Sequence, residues 1–208
     1  MKQSLENISF YVIGLFIMTL GISATIVSGL GASPLDALNV GLTEQFGLTV
    51  GSWEFIGGIV LVFLNAWIQK GKPSYFSIVT ALITGICIDF WLFTLWQVWE
   101  PSTLFLEGII LCAGLVLLGL GISIYLHSNL ALIPVDGLMI ALHERFGLRL
   151  ALAKTLAGTF ILMLALIAGG PVGIGTFIVV LLVGPVIAFF HRYIRQLKQK
   201  IDRYVYST

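Results

Sequence analysis

The sequence predicts an all-α polytopic membrane protein: six transmembrane helices arranged as two inverted three-helix repeats, each with a short interfacial or re-entrant helix. Three observations carry this. The chain is 58% hydrophobic and 10% charged, against the quarter or so of charged residues usual in soluble domains. No Asp, Glu, Lys or Arg falls between Glu6 and Asp36, nor between Lys154 and Arg192. Finally, aligning residues 14–48 with 114–148 at a fixed offset of 100 gives 16 identities in 35 positions.

Six apolar stretches of about 20 residues each match the thickness of a bilayer core. They fall at 8–29, 51–69, 74–97, 105–127, 150–169 and 174–191. Their breaks are "QKGKPS" at 69–74, "WEPST" at 99–103 and "GGPVGIG" at 169–175, where Gly and Pro end helices. The first stretch is too long for a signal-peptide core and is expected to remain as a span. Lys and Arg favour short cytoplasmic loops. With six spans and a cytoplasmic N-terminus, all eleven basic residues fall inside or at the inner edge. Asp36, Glu44, Glu54, Glu100 and Glu107 fall outside, and Trp53, Trp91, Trp96 and Trp99 cluster toward the outer interface. The expected location is the cytoplasmic (inner) cell membrane, with both termini cytoplasmic.

The repeat divides the chain into residues 1–100, residues 101–191 and a basic tail at 192–208, expected to anchor on the inner leaflet. An odd number of spans per copy places the copies upside down relative to each other, as in many transporters. Glu54 and its counterpart Lys154 agree, the charge changing sign with side.

After the first and fourth spans, Pro34–Phe46 and Pro134–Phe146 each suit a helix about 20 Å long, too short to cross a core of about 30 Å. Leu35, Leu38, Leu42 and Phe46 make an apolar face opposite Asp36, Asn39 and Thr43; the second copy sets Val135, Leu138, Leu142 and Phe146 against Asp136, Met139 and His143. Short helices at matching points of two halves point to a transport site. Ser33, Pro34 and Asp36 also make an N-terminal cap, which by itself accounts for an acid behind a proline. The second copy keeps Pro134 and Asp136 without the serine.

Asp89 lies inside the third span with no base at its depth, a functional-site candidate by default; the alternative is a protonated acid bonded to a neighbouring hydroxyl such as Ser23. Asn65 and His127 are read as interfacial. The pathway candidates are therefore Asp36, Asn39, Asp89, Asp136 and His143, with Ser33, Pro34 and Pro134 as half-helix starts. Gly14, Gly21, Gly114 and Gly121 recur at sevenfold spacing and suit close helix packing. Cys87 and Cys112 read as core residues. No metal cluster, nucleophile elbow or phosphate loop is present in the sequence, so no enzyme activity, metal or cofactor is expected. The net charge of +1 gives no reason to expect nucleic acid as a partner.

The stretch "GLGASPLDALNVGL" at 29–42, followed by Phe46, Gly47, Leu48 and Gly51, with its echo at Pro134, Asp136, Gly147 and Leu148, resembles the YczE/YitT family of bacterial integral membrane proteins. The resemblance covers nearly the whole chain and implies a small polytopic protein of the cytoplasmic membrane. The function expected is a transporter or channel-like facilitator of a small solute. The alternatives are a substrate-binding membrane subunit of a larger transport complex and a membrane scaffold or regulatory protein. The expected partners are the bilayer and an unidentified small solute; a homo-oligomer or a partner membrane protein is left open.

Overall fold

The structure, a computed structural model, describes the backbone of residues 2–98, 103–128 and 130–206 and the side chains of 7–98, 103–128 and 130–198. The expectations for Trp99, Glu100 and most of the "WEPST" break lie outside the described residues.

Eight helices follow in order: α1 (Lys2–Val27), α2 (Pro34–Phe46), α3 (Val50–Gln69), α4 (Tyr75–Val98), α5 (Leu104–Leu126), α6 (Pro134–Phe146), α7 (Leu150–Ile167) and α8 (Ile174–Tyr206). Six are long and apolar enough to cross a membrane; α2 and α6 are the two short ones. The expected sixth span and tail form one continuous helix, α8, with Pro185 inside it. Its Lys198 returns to the bundle, donating to Asn7 Oδ1 at 3.1 Å and to the His127 carbonyl.

Helix α1 packs along α5 through its glycines. A Cβ on Gly14 or Gly21 would meet the backbone of Tyr125 or Leu118, and one on Gly121 would meet Met18. A Cβ on Gly114 would approach Thr25 N to 2.9 Å. Here the two backbones come into direct contact, the arrangement that holds helices together where lipid gives no hydrophobic drive.

Around this pair the other contacts come in matched sets: α1–α4 with α5–α8, α3–α6 with α7–α2, and α2–α3 with α6–α7. The α3–α4 contact has no strong counterpart, since α7 and α8 scarcely touch. The residues give the reason. At the α3–α4 crossing a Cβ on Gly85 would run into the Gly51 carbonyl, whereas 100 residues later stand Ala151 and Pro185.

The apolar faces of the short helices pack against other spans, although in α2 the polar stripe with Asp36 and Asn39 is the more deeply buried. Leu35 and Leu38 of α2, and Val135, Leu138 and Leu142 of α6, join one cluster with Leu61 and Leu64 of α3 and Ile161 of α7. Phe46 and Phe146, expected on the same faces, are instead exposed; Phe46 packs beside Trp53 at 6.1 Å between ring centres. Trp91, expected at the interface, donates its indole N–H to the Phe16 carbonyl at 3.1 Å in the α1–α4 contact.

Two ends of the bundle result. A basic end gathers the α3–α4 turn, residues 127–149 and the tail of α8. The far end gathers residues 28–49 and the α7–α8 turn.

Candidate functional site

Helix α2 begins where sequence chemistry demands. Ser33 takes an extended conformation and its hydroxyl donates to Asp36 Oδ2 at 2.5 Å, while Pro34 opens the first turn without needing a donor. One turn further, Asn39 is 1% exposed and donates its amide to Glu54 Oε2 at 2.7 Å. Asp36 and Glu54 are 4% and 5% exposed, and Asn39, one turn beyond Asp36, links α2 to Glu54. Among the described residues no cationic side chain acts on either. Two buried acids side by side cannot both stay charged cheaply without a proton or cation between them. Glu54 is the member that sequence reasoning placed at the outer edge and left out of the site; the fold buries it, because α2 lies across the first turns of α3.

The second copy is built differently. Helix α6 has no side-chain cap at Ile133, but Tyr125, fully buried at the end of α5, donates its hydroxyl to Asp136 Oδ2 at 2.6 Å. A tyrosine from another helix thus replaces the missing serine. Lys154, exposed, stands at the position matching Glu54, so the counterpart of the Asp36–Glu54 pair is, by sequence position, an acid and a base. Met139, the counterpart of Asn39, is half-buried.

Asp89 belongs to neither cluster. Its Oδ1 accepts the Gly51 N–H at 2.7 Å and its Oδ2 accepts the Thr49 hydroxyl at 2.5 Å. It caps α3 from α4, and Ser23 bonds to the Ile88 carbonyl next to it rather than to the acid. His143 stands apart as well, exposed and bonded to the Leu148 carbonyl at 2.5 Å.

Asn65, expected at the interface, is 9% exposed and donates its amide to the Pro134 carbonyl at 2.9 Å. Pro134 also lies beside Gly58, since a Cβ there would stand 3.5 Å from its ring. Gly58 is eight residues inside α3, about 12 Å from its start, so the start of α6 is buried deep between spans.

The two ends around these helix starts differ sharply. At the far end the α7–α8 turn closes on the segment leading into α2. Gly175 N–H donates to the Leu30 carbonyl at 2.8 Å and Ala32 N–H to the Pro171 carbonyl at 3.4 Å. Gly31 has φ +116°, and a Cβ on it would stand 2.7 Å from Gly173 N and from Thr176 Oγ1; this close contact needs glycine. At the basic end the α3–α4 turn leaves a cavity of about 290 Å³ against the segment leading into α6, lined among others by Asn65, Lys72, Ser74, Ser77, Ala131 and Gly137. A second cavity of about 240 Å³ lies on the same 130–132 segment beside Tyr125.

Fold and site together define a polytopic α-helical membrane protein with paired, proline-started short helices buried between its spans. The chain belongs to the family of unknown function DUF6198, whose model matches residues 5–192. It is 43% identical over 181 residues to the uncharacterized protein YyaS of Bacillus subtilis (strain 168), covering 87% of this chain and 90% of that one. It is 34% identical over 193 residues to the uncharacterized membrane protein YczE of the same organism, covering 91% and 87%. An uncharacterized protein of Haemophilus influenzae is 29% identical over 196 residues, covering 92% and 86%. No solved structure matches the chain.

Proposed function

We propose that the protein is a transporter or channel-like facilitator of a small solute, working between two inverted halves of the cytoplasmic membrane domain. The observation that carries the reading is the contrast at the two helix starts. Both short helices begin inside the bundle and share one apolar cluster, yet one approach is sealed and the other opens into a cavity. Non-helical backbone at such depth is tolerated where it is wrapped in protein or lines a water-filled space, and alternating access needs one approach closed while the other is open.

The inverted arrangement is supported by the 16 matched residues and by the matched helix contacts. The bias of Lys and Arg supports an orientation with the cavity, the termini and the basic end in the cytoplasm. The sealed end then faces outward with Asp36, Asn39 and Glu54 behind the seal. An acidic centre without a base suits a proton or cation moving with the solute, and suits a neutral, zwitterionic or cationic solute better than an anion. The protein acts by positioning and gating, not by enzyme chemistry. A binding-subunit role predicts tight capture without flux; a scaffold role predicts that Asp36 and Asp136 go to Asn without effect.

The test is swelling of proteoliposomes in a panel of small neutral, zwitterionic and cationic solutes. Cysteines at Ala32 and Pro171, in a chain lacking Cys87 and Cys112, are joined by a short bifunctional thiol reagent. At least one solute is expected to enter faster than into protein-free vesicles, with the cross-link abolishing the difference. Entry that matches protein-free vesicles for every solute, or that continues unchanged through the cross-linked seal, contradicts the proposal.

A further inference from the structure

The basic-end cavity has a polarity that defines what it would hold. Its deep wall carries the Asn65 side chain, fixed by the bond from its amide nitrogen to the Pro134 carbonyl. The amide oxygen, buried, accepts no hydrogen bond. A buried acceptor of this kind is rare and costly unless something donates to it. Gly137 makes the arrangement possible, because a Cβ there would stand 2.7 Å from the Asn65 nitrogen.

The mouth has the opposite character. Ser77 donates its hydroxyl to Ser74 Oγ at 2.9 Å, and Ser74 itself is exposed. Lys72 and Gln69 stand exposed at the rim, where Gln69 donates its amide to Glu144 Oε2 at 2.9 Å, and no acid lines the cavity itself. An acceptor thus lies deep, with donors and a cation at the entrance. At about 290 Å³ the cavity sits just below the range of drug-sized pockets.

We propose that this cavity binds a small zwitterion, of the size and charge pattern of a simple amino acid. Its ammonium group donates to Asn65 Oδ1 and its carboxylate lies at the mouth against Lys72 and the Ser74 hydroxyl. The proposal rests on the reading of α6 as one wall of a solute pathway, and deepens it by naming the solute class. Nothing in it calls on the acids behind the far seal, which would serve the coupling ion.

The test uses purified full-length protein in lipid nanodiscs and three probes of similar size: L-alanine, ethylammonium and propionate. A ligand that binds the folded state alone raises the unfolding temperature in proportion to its occupancy. L-alanine is expected to raise it most, ethylammonium less, and propionate least. Asn65→Leu is expected to weaken L-alanine by about tenfold or more, a loss of one charge-assisted bond. Lys72→Gln, at an exposed rim position with no fold to break, is expected to weaken L-alanine while leaving ethylammonium unchanged. An L-alanine shift no larger than those of its two fragments, or one that survives both substitutions, overturns the proposal. Binding without flux would leave this site standing and remove the transport reading. Flux of solutes in vesicles without any preference for L-alanine would do the reverse.

Discussion

Residues 28–33 and 128–133 stand at matching places in two similar stretches of sequence, yet the first is clamped by its neighbouring turn and residues 130–132 of the second border open space. The difference lies in the turn that each one meets. "GGPVGIG" at 169–175 is small enough for backbone to rest on backbone, with Gly31, Gly173 and Gly175 in contact. Its counterpart "QKGKPSY" at 69–75 brings two lysines and a serine, bulkier and more polar than the glycines, and the turn there borders a cavity. The two ends therefore differ in packing through the bulk and polarity of one connection.

The largest effect that would break this comparison comes from filling the seal. Gly31→Val adds side-chain bulk where φ is +116° and Gly173 and Thr176 already touch. It is expected to cost about 3 kcal/mol or more from strain and overpacking together. Ala131→Val, at the matching open position, should stay within about 0.5 kcal/mol. Thermal unfolding of both variants in nanodiscs measures the difference; equal losses would mean that the two approaches are packed alike.

Next comes the asymmetry between the acid pair and its counterpart. Asn39→Leu removes the partner of buried Glu54 and is expected to destabilise by about 2–3 kcal/mol, the range for a buried bond to a charged group. Met139→Leu at the matching position should cost under about 1 kcal/mol. Unfolding in denaturing detergent would show whether the first loss exceeds the second. Tyr125→Phe, which leaves Asp136 without its hydroxyl donor, should cost about 1–2 kcal/mol, measured the same way. Asp89→Asn weakens a cap rather than a coupling site and should cost about 1 kcal/mol with solute flux retained; loss of flux at full stability would return Asp89 to the pathway.

The smallest effect concerns the basic end alone. His127, just past the end of α5, is held below the ordinary histidine value of 6.5 chiefly by burial; His191, Lys198 and Arg195 act in the same direction, and the bond to the Ser123 carbonyl opposes them. Because the folded state binds this proton less readily than the unfolded one, stability is lost as pH falls below 6.5. The shift in unfolding temperature between neutral and mildly acidic buffer should shrink in His127→Gln.

Much of this was legible in the sequence. Hydropathy and the Gly-Pro breaks placed all six spans within a few residues. The pattern Ser33-Pro34-Leu35-Asp36 gave the cap of α2, and the sevenfold glycines lie in the α1–α5 contact. What escaped were contacts between distant segments. Glu54 looked like a headgroup residue because nothing local reveals that α2 folds across α3; its sign reversal against Lys154 was the available signal. Asn65 looked interfacial because its depth depends on Pro134, 69 residues away. Tyr125 gave no hint that it caps α6, and Asp89 read as an unpaired intramembrane acid because its partners, Thr49 and Gly51, belong to another helix. That α2 buries its polar stripe more deeply than its leucines was equally hidden, since periodicity defines a face but not what it faces.

The most direct test of the central claim is sided labelling of the two half-helices. Single cysteines at Asn39 and Met139, in a chain lacking Cys87 and Cys112, would be exposed to a membrane-impermeant thiol reagent from each side. The account predicts that Met139→Cys, half-buried on α6, reacts from the cytoplasmic side, while Asn39→Cys, 1% exposed behind the seal, reacts slowly and only from outside. Fast reaction of both from one side, or equal reaction of both as in exposed loops, would contradict it.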